Sequence, residues 1–286
     1  MKPLVCLYGC EELSGLAPEE KPLIRELREA GFLVEERAWE SGASIDCEIH
    51  LLRNTWDYCT RFQEFLTFLD QLQNSGGLIL NPVELLRWNL NKRYLVHLSA
   101  RGVPVVETLF FESSLPDKLP SFLDRTETVV IKPSVSANSF RTQRSSWDEL
   151  KLKSSDYWKL DNGAHWMLQP YCESVEQEGE MSLIYFGGKP SHAVRKVPVA
   201  GDFRVQDTYG GKAVEVPFSE SFLSIGAKVH EALDWQPAYS RVDLVLRKGN
   251  WLLMELELVE PSLFFELDEE SARRFVREIA VRYSVV

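Results

Sequence analysis

Glu255 and Glu257 stand two residues apart in the otherwise apolar run Trp251 to Val259. Side chains of a strand alternate with period two, so a strand here puts both carboxylates on one face. Asp243 lies upstream, in the segment Arg241 to Leu246. A three-residue loop, Lys248 to Asn250, sets Asp243 opposite Glu255 on the same face. A two-residue loop turns it away, because one residue of slip flips every side chain. Carboxylates gathered on one face repel unless a cation neutralises them. An all-oxygen set suits Mg²⁺, which takes a few carboxylates and completes its octahedron with substrate phosphates. The competing reading is a solvated edge strand whose acids face Lys or Arg.

Two further segments could meet such phosphates. Thr128 to Pro133 delivers Lys132 from an apolar strand to a loop of small residues, Ser134 to Ser139. A lysine on a rigid strand meets a nucleotide phosphate as a point charge, and small residues let backbone N–H groups approach its oxygens. Trp166 to Tyr171 is a second apolar strand, and it runs into Glu173, Glu176, Glu178 and Glu180. Such an edge can pair an adenine through backbone groups while an acid takes the ribose hydroxyls. The plainer reading of these four glutamates is a solvated acidic loop.

The elements that position these residues fall into two textures. Residues 3–9, 32–39, 47–53 and 78–80 read as strands, separated by helical patterns at Leu23 to Ala30 and Phe62 to Leu72. This alternation predicts a small α/β layer with a largely parallel sheet, and ligands gather beyond the carboxyl ends of such strands. Arg53, Asn54, Trp56, Asp57 and Tyr58 would sit at such an end. A helix from Asn91 to Arg101 follows, and then mostly extended sequence. Strands at Thr128 to Lys132, Trp166 to Tyr171, Ser182 to Phe186, Ser191 to Val197, Tyr239 to Arg247 and Trp251 to Val259 give the second half an α+β texture. Gly187-Gly188 and Gly249-Asn250 read as hairpin turns. Helices at Phe222 to Leu233 and Glu269 to Tyr283 carry apolar faces able to cover the sheet. The boundary falls near residue 90.

Composition narrows the partners. The chain has 286 residues and a net charge of −11, which argues against a phosphate-coating nucleic-acid binder. The apolar run Leu4 to Cys10 is too short to span a membrane and reads as the first strand. Five cysteines without CxxC pairs point to buried, reduced thiols in a cytoplasmic protein without structural zinc. Cys6 and Cys10 read as buried strand residues, with redox work as the alternative.

Taken in order, Lys92 in Asn-Leu-Asn-Lys92, Lys132, the Gln169-Pro-Tyr171 edge, Arg241-Val-Asp243 and Glu255-Leu-Glu257 resemble the ATP-grasp superfamily, in its glutathione-synthetase-like branch. Glu180 with Met-Ser-Leu, Ser191 to Lys196, and Gly201-Asp-Phe-Arg204 are similar to the ligase group that includes the D-cycloserine-forming enzyme. The likeness covers roughly residues 81 to 265. It implies an α/β pre-ATP-grasp layer, residues 1–90, and an ATP-grasp domain of two subdomains, residues 91–286. It further implies that Lys92 and Lys132 hold the ATP phosphates, that Gln169, Pro170 and Tyr171 form the adenine hinge, and that Glu180 meets the ribose. Asp243, Glu255 and Glu257 would hold two Mg²⁺ ions, although family members often carry Asn at the position of Glu257. The loop Ser134 to Phe140 departs from the family, whose lid there is glycine-rich; serine lacks glycine's free access to positive φ.

The implied reaction is carboxylate–amine ligation through an acyl phosphate, giving ADP and phosphate. Arg204 is the first candidate for the cation facing the tetrahedral oxyanion, and Arg241 the second. Lys196 and Arg195 alternate, so only one faces the site, and the resemblance favours Lys196. His192 shares the Lys196 face and reads either as a substrate-pocket residue or as a structural histidine. Arg53 and Asp57 read as grips for a substrate carboxylate and amine, or as a loop brace in which they pair with each other. Three classes remain open: an amide-forming ligase, an ATP-dependent small-molecule kinase, and a nucleotide-binding module without turnover. Partners are small molecules, with a homodimer as the default assembly.

Overall fold

Odd and even residues of the first strand part company: Val5 and Leu7 enter one apolar cluster, Cys6 and Tyr8 another. A sheet covered on both faces needs such an unbroken apolar run. The computed structural model describes residues 2–13, 16–42, 45–160, 165–199 and 210–284. Strands β1 (Leu4–Gly9), β2 (Leu33–Ala38), β3 (Ile49–Asn54) and β4 (Leu78–Leu80) form a parallel sheet in the order β2-β1-β3-β4. Helix α1 (Lys21–Glu29) buries Leu23, Ile24 and Leu27 against the odd face, and α2 (Phe62–Asn74) buries Phe65, Phe68, Leu69 and Leu72 against the even face.

The helix expected over Asn91 to Arg101 is α4 (Tyr94–Ala100), and a further helix, α3 (Val83–Asn89), precedes it. Pro82 starts α3, where its missing N–H costs nothing. Strands β5 (Leu109–Phe111), β6 (Thr128–Pro133), β7 (Gln143–Ser146) and β8 (Trp166–Pro170) make an antiparallel sheet, order β5-β8-β6-β7. Helix α5 (Trp147–Lys151) starts on a capping box between Ser146 and Glu149, and α6 (Ser174–Gln177) follows β8. The third sheet, also antiparallel, contains β9 (Glu180–Phe186), β10 (Lys189–Val197), β11 (Lys212–Val216), β12 (Tyr239–Arg247) and β13 (Asn250–Glu257), in the order β11-β10-β9-β12-β13. Helix α7 (Glu220–Glu231) packs Phe222, Ile225 and Val229 on this sheet. Helix α8 (Ser271–Tyr283) covers the same sheet and also α1, since Phe275, Val276 and Ile279 share a cluster with Leu23, Leu27, Phe186 and Tyr239.

Polar stitches join the parallel layer to the rest. The Asn81 amide donates to Tyr239 O at 3.0 Å and Leu258 O at 2.8 Å, and its oxygen accepts from Ala238 N at 2.6 Å. Asn89 does the same for β13, donating to Leu256 O and accepting from Leu258 N, both at 2.8 Å. An asparagine can replace a missing ladder partner because it carries one donor group and one acceptor.

Two expectations are corrected here. Cys6 is not a thiol: it forms a disulfide with Cys47, whose Cα lies 6.1 Å away. The two are 41 residues apart in sequence, but the parallel crossover returns Cys47 to the even face of β1. Cys10, Cys59 and Cys172 are buried. The hairpin turn between β12 and β13 has two residues, Lys248 and Gly249, both at positive φ (50° and 79°), because Arg247 pairs with Asn250. That turn alone would put Asp243 opposite Met254. A bulge at Met254 absorbs one residue, so Leu244 pairs with Leu253 while Asp243 pairs with Glu255. Among the described residues no helix is long and apolar enough to cross a membrane.

Candidate active site

A cleft of about 270 Å³ opens between the third sheet and the β6–β8 edge, with Trp56 and Tyr58 of the first layer on its wall. The period-two rule places Val130 and Lys132 of β6 in it, and Gln169 and Pro170 line it from the end of β8. The third sheet contributes Glu180, Lys196, Arg241, Asp243, Glu255 and Glu257. Lys196 faces the cleft and its neighbour Arg195 does not line it. The bulge brings Met254 to the wall beside Glu255.

Every one of these charges has an opposite neighbour. Glu255 holds Lys92 on one oxygen at 3.1 Å and Lys132 on the other at 3.2 Å. Burial alone would raise its pKa, but the two lysines hold it down at about 2. Arg241 grips Asp243 through Nε and Nη2, both at 3.0 Å, and also pairs with Glu257 directly across the ladder. Lys196 bridges Glu180 and Asp243, the latter at 3.3 Å, and Ser182 Oγ donates to Asp243 as well. Against the pull of burial, Arg241 and Lys196 keep Asp243 ionised, with a pKa near 2. Glu257 and Glu180 go the other way: burial raises both, Glu257 to about 7.

The carboxylate triad expected from the sequence is therefore divided. Among the described residues no three His, Cys, Asp or Glu side chains gather as a metal-holding group. Lys92 and Lys132 occupy Glu255, and Arg241 lies between Asp243 and Glu257. The donor chemistry still fits Mg²⁺, which needs only one or two carboxylates when phosphate oxygens complete its shell.

The hinge segment lines the cleft as a run, Gln169, Pro170, Tyr171 and Cys172, with Val130, Val175, Met254 and Leu256 as apolar neighbours. Gln169 Nε2 donates to Thr108 Oγ1 at 2.9 Å and Tyr171 N to Thr128 O at 2.9 Å, which fixes the edge. The glycine-free loop also reaches the cleft, through Ser136, Ala137, Asn138 and Ser139. It takes positive φ without glycine, at Asn138 (46°), Ser139 (58°) and Arg141 (51°). The sequence argument against that conformation is corrected: Asn tolerates it best among non-glycine residues, and Ser139 and Arg141 hold it at a steric cost.

Three expected substrate residues lie elsewhere. Arg53 is fully buried and forms a two-pronged pair with Glu20, at 3.0 and 2.7 Å, while also donating to Pro261 O at 2.8 Å. It can neither reach a substrate nor brace Asp57. Asp57 accepts from Trp39 Nε1 at 2.8 Å and does not line the cleft. His192 is 2% exposed, its Nε2 lies 3.0 Å from Leu263 O, and burial lowers its pKa to about 4. This neutral, structural histidine shares the Lys196 face but sits four residues deeper in the sheet. Arg204 lies outside the described residues. Sequence reasoning missed Tyr94, Asn89 and Glu260, all of which line the cleft. Only the charge of Glu260, three residues past Glu257, could have drawn attention to it.

Comparison with known proteins adds an independent finding. Residues 5–81 match the family described as D-cycloserine synthetase DcsG, N-terminal domain, and residues 104–270 match the prokaryotic glutathione synthetase ATP-grasp domain. The chain is 34% identical to the cycloserine biosynthesis protein DcsG of Streptomyces lavendulae, over 91% of this chain and 92% of the relative. The crystal structure of D-cycloserine synthetase DcsG superposes with a TM-score of 0.83 at 29% identity, covering 98% of this chain and 99% of that one. D-alanine–D-alanine ligase from Bacillus anthracis shares the fold, with a TM-score of 0.63 at 13% identity over 98% of this chain and 100% of the other.

Proposed function

The chain belongs to the glutathione-synthetase-like ATP-grasp ligases, ATP-dependent enzymes that join a carboxylate to an amine, and we propose that its charge-paired cleft runs this reaction by exchange of partners. The observation that carries the reading is Glu255 held between Lys92 and Lys132 on the cleft wall. An arriving triphosphate offers the two lysines a denser negative charge. They shift to it, which would leave Glu255, with Asp243 and Glu257, to hold Mg²⁺. Mg²⁺, bound as two ions in this reading, would neutralise charge as the γ-phosphoryl group moves.

The apolar neighbours Val130, Met254 and Leu256 flank the base, the edge Gln169 to Tyr171 pairs with it, and Glu180 takes the ribose. A substrate carboxylate attacks the γ-phosphate to give an acyl phosphate and ADP. An amine then attacks the acyl carbon, phosphate leaves, and an amide remains. Arg204 is the proposed cation for the tetrahedral oxyanion. Lys196 and Arg241 are positioned on the same wall, Arg241 as the second candidate cation for that oxyanion. Likeness to D-cycloserine synthetase supports a small, amino-acid-like substrate. Residues 1–90 form the substrate-side layer and 91–286 the ATP-grasp domain. A homodimer in the cytoplasm, where ATP is abundant, completes the proposal.

Calorimetry of ATP with and without Mg²⁺, on the wild type and a Glu255→Ala, Glu257→Ala double variant, tests the site. Magnesium-dependent binding present in the first and absent in the second is expected; equal binding by both sinks the assignment. Phosphate release that requires carboxylate and amine together separates a ligase from a kinase, which would leave a stable phosphorylated product.

A further inference from the structure

The Glu260 carboxyl differs from the other cleft acids just described. Glu180, Asp243, Glu255 and Glu257 each hold a Lys or Arg within ion-pair distance. Among the described residues no hydrogen bond or ion pair reaches the Glu260 side chain, although it is 8% exposed and lines the cleft. Its backbone is fixed: its carbonyl accepts from Trp56 Nε1 at 3.3 Å, and the next carbonyl, of Pro261, accepts from Arg53 Nη2 at 2.8 Å. The carboxyl therefore hangs from a fixed backbone and, among the described residues, lacks a cation of its own.

We propose that Glu260 is the anchor for a primary ammonium group on the substrate, held between Glu260 and the aromatic wall of Trp56 and Tyr58. This rests on the ligase reading and deepens it, by requiring that the substrate carry an amine as a recognition handle. An ammonium fits better than a second metal ion here. Trp56, Tyr58 and Phe264 line the same cleft, with Trp56 Nε1 on the Glu260 carbonyl, and aromatic faces attract organic cations, whereas a divalent ion seeks several oxygens. Among the described residues no cation is left over for it: Arg241 is committed to Asp243, Glu257 and Ser262 O, and Lys92 to Glu255 and Ser136 O. Burial, then Glu257 and Glu255, raise the Glu260 pKa to about 8, and Lys92 and Arg241 offset this only in part. The empty anchor is thus a neutral acid that surrenders its proton when a cation arrives.

The test uses two probe pairs that differ by one amine: D-cycloserine against isoxazolidin-3-one, and D-serine against D-glycerate. Binding is measured by calorimetry on the full chain in saturating Mg-ADP, for wild type, Glu260→Gln and Glu260→Asp. At least one amine-bearing probe is expected to bind wild type ten-fold or more tighter than its counterpart. Glu260→Gln should abolish that preference and Glu260→Asp should keep part of it. Equal affinity within both pairs in wild type, or a preference that survives in Glu260→Gln, overturns the proposal. No binding of any probe by an enzyme that binds Mg-ADP overturns it too, yet leaves the ligase reading standing. Failure to bind Mg-ADP overturns that reading instead.

Discussion

Replacing Glu255 by Gln removes one charge from a three-member group in which a single carboxylate serves two lysines, at 3.1 and 3.2 Å. The lysines hold the acid at a pKa of about 2 against its ordinary 4.5. At roughly 1.4 kcal/mol per pKa unit, the ionised form gains about 3 kcal/mol from the fold, an upper figure because Lys132 can turn toward solvent. The pKa is depressed in the folded state, so this stabilisation is present above pH 4.5 and fades as pH falls toward 2. At pH 7 Glu255→Gln should therefore melt lower, by roughly 3–5 °C for a loss of about 2–3 kcal/mol. The same substitution leaves Lys92 and Lys132 without their acid, so Mg²⁺-free ATP should bind at least about 10-fold tighter than to wild type, about 1.4 kcal/mol. Its enhancement by Mg²⁺ should shrink. Differential scanning fluorimetry and calorimetry with and without EDTA read both effects. A variant with unchanged melting temperature and unchanged Mg²⁺-free ATP affinity would refute the partner-exchange argument.

Three further outcomes are expected. Glu260→Gln should be more stable than wild type at pH 7 by up to about 3 kcal/mol, since the wild-type carboxyl, raised to about 8, resists an ionisation that the unfolded chain undergoes at its ordinary 4.5. Urea titrations should show that advantage vanishing as pH falls to 4.5, and a pH-independent difference would contradict it. Ser139→Gly relieves a serine at φ 58°; relief of about 1–2 kcal/mol, less about 0.4–1 kcal/mol for the freer unfolded chain, should raise stability by roughly 0.5 kcal/mol in chemical denaturation. His192→Leu strands the Leu263 carbonyl and should cost about 1–3 kcal/mol in the same assay while leaving Mg-ATP affinity unchanged. A large loss of affinity would return His192 to the cleft.

The sequence was legible where one local rule decides the outcome. Parity along a strand put Glu255 and Glu257 on one face and allowed only one of Arg195 and Lys196 into the site, and the alternating strand and helix patterns found the parallel sheet. It was opaque where the decisive partner is remote. Arg53 looks like a ligand grip until Glu20, 33 residues away, is seen to neutralise it. Cys6 and Cys47 look like separate thiols until the crossover superimposes them. β7, with the polar sequence Gln143 to Ser146, carries no alternation to read, because it is an exposed edge held by pairing to β6. The disagreement over the β12–β13 turn has the same cause: two compensating irregularities leave the alignment of Asp243 with Glu255 intact and its route invisible.

That compensation governs how the gene can change length. In this hairpin the turn and the acidic end keep separate counts, reconciled by the surplus residue at Met254. A residue added at Lys248-Gly249 lengthens the loop without touching the pairs beyond it, and deleting Met254 alone leaves Asp243 facing Glu255. Natural variation in length should therefore gather independently at the tip and at Met254, with the spacing from Glu255 to Glu257 held constant.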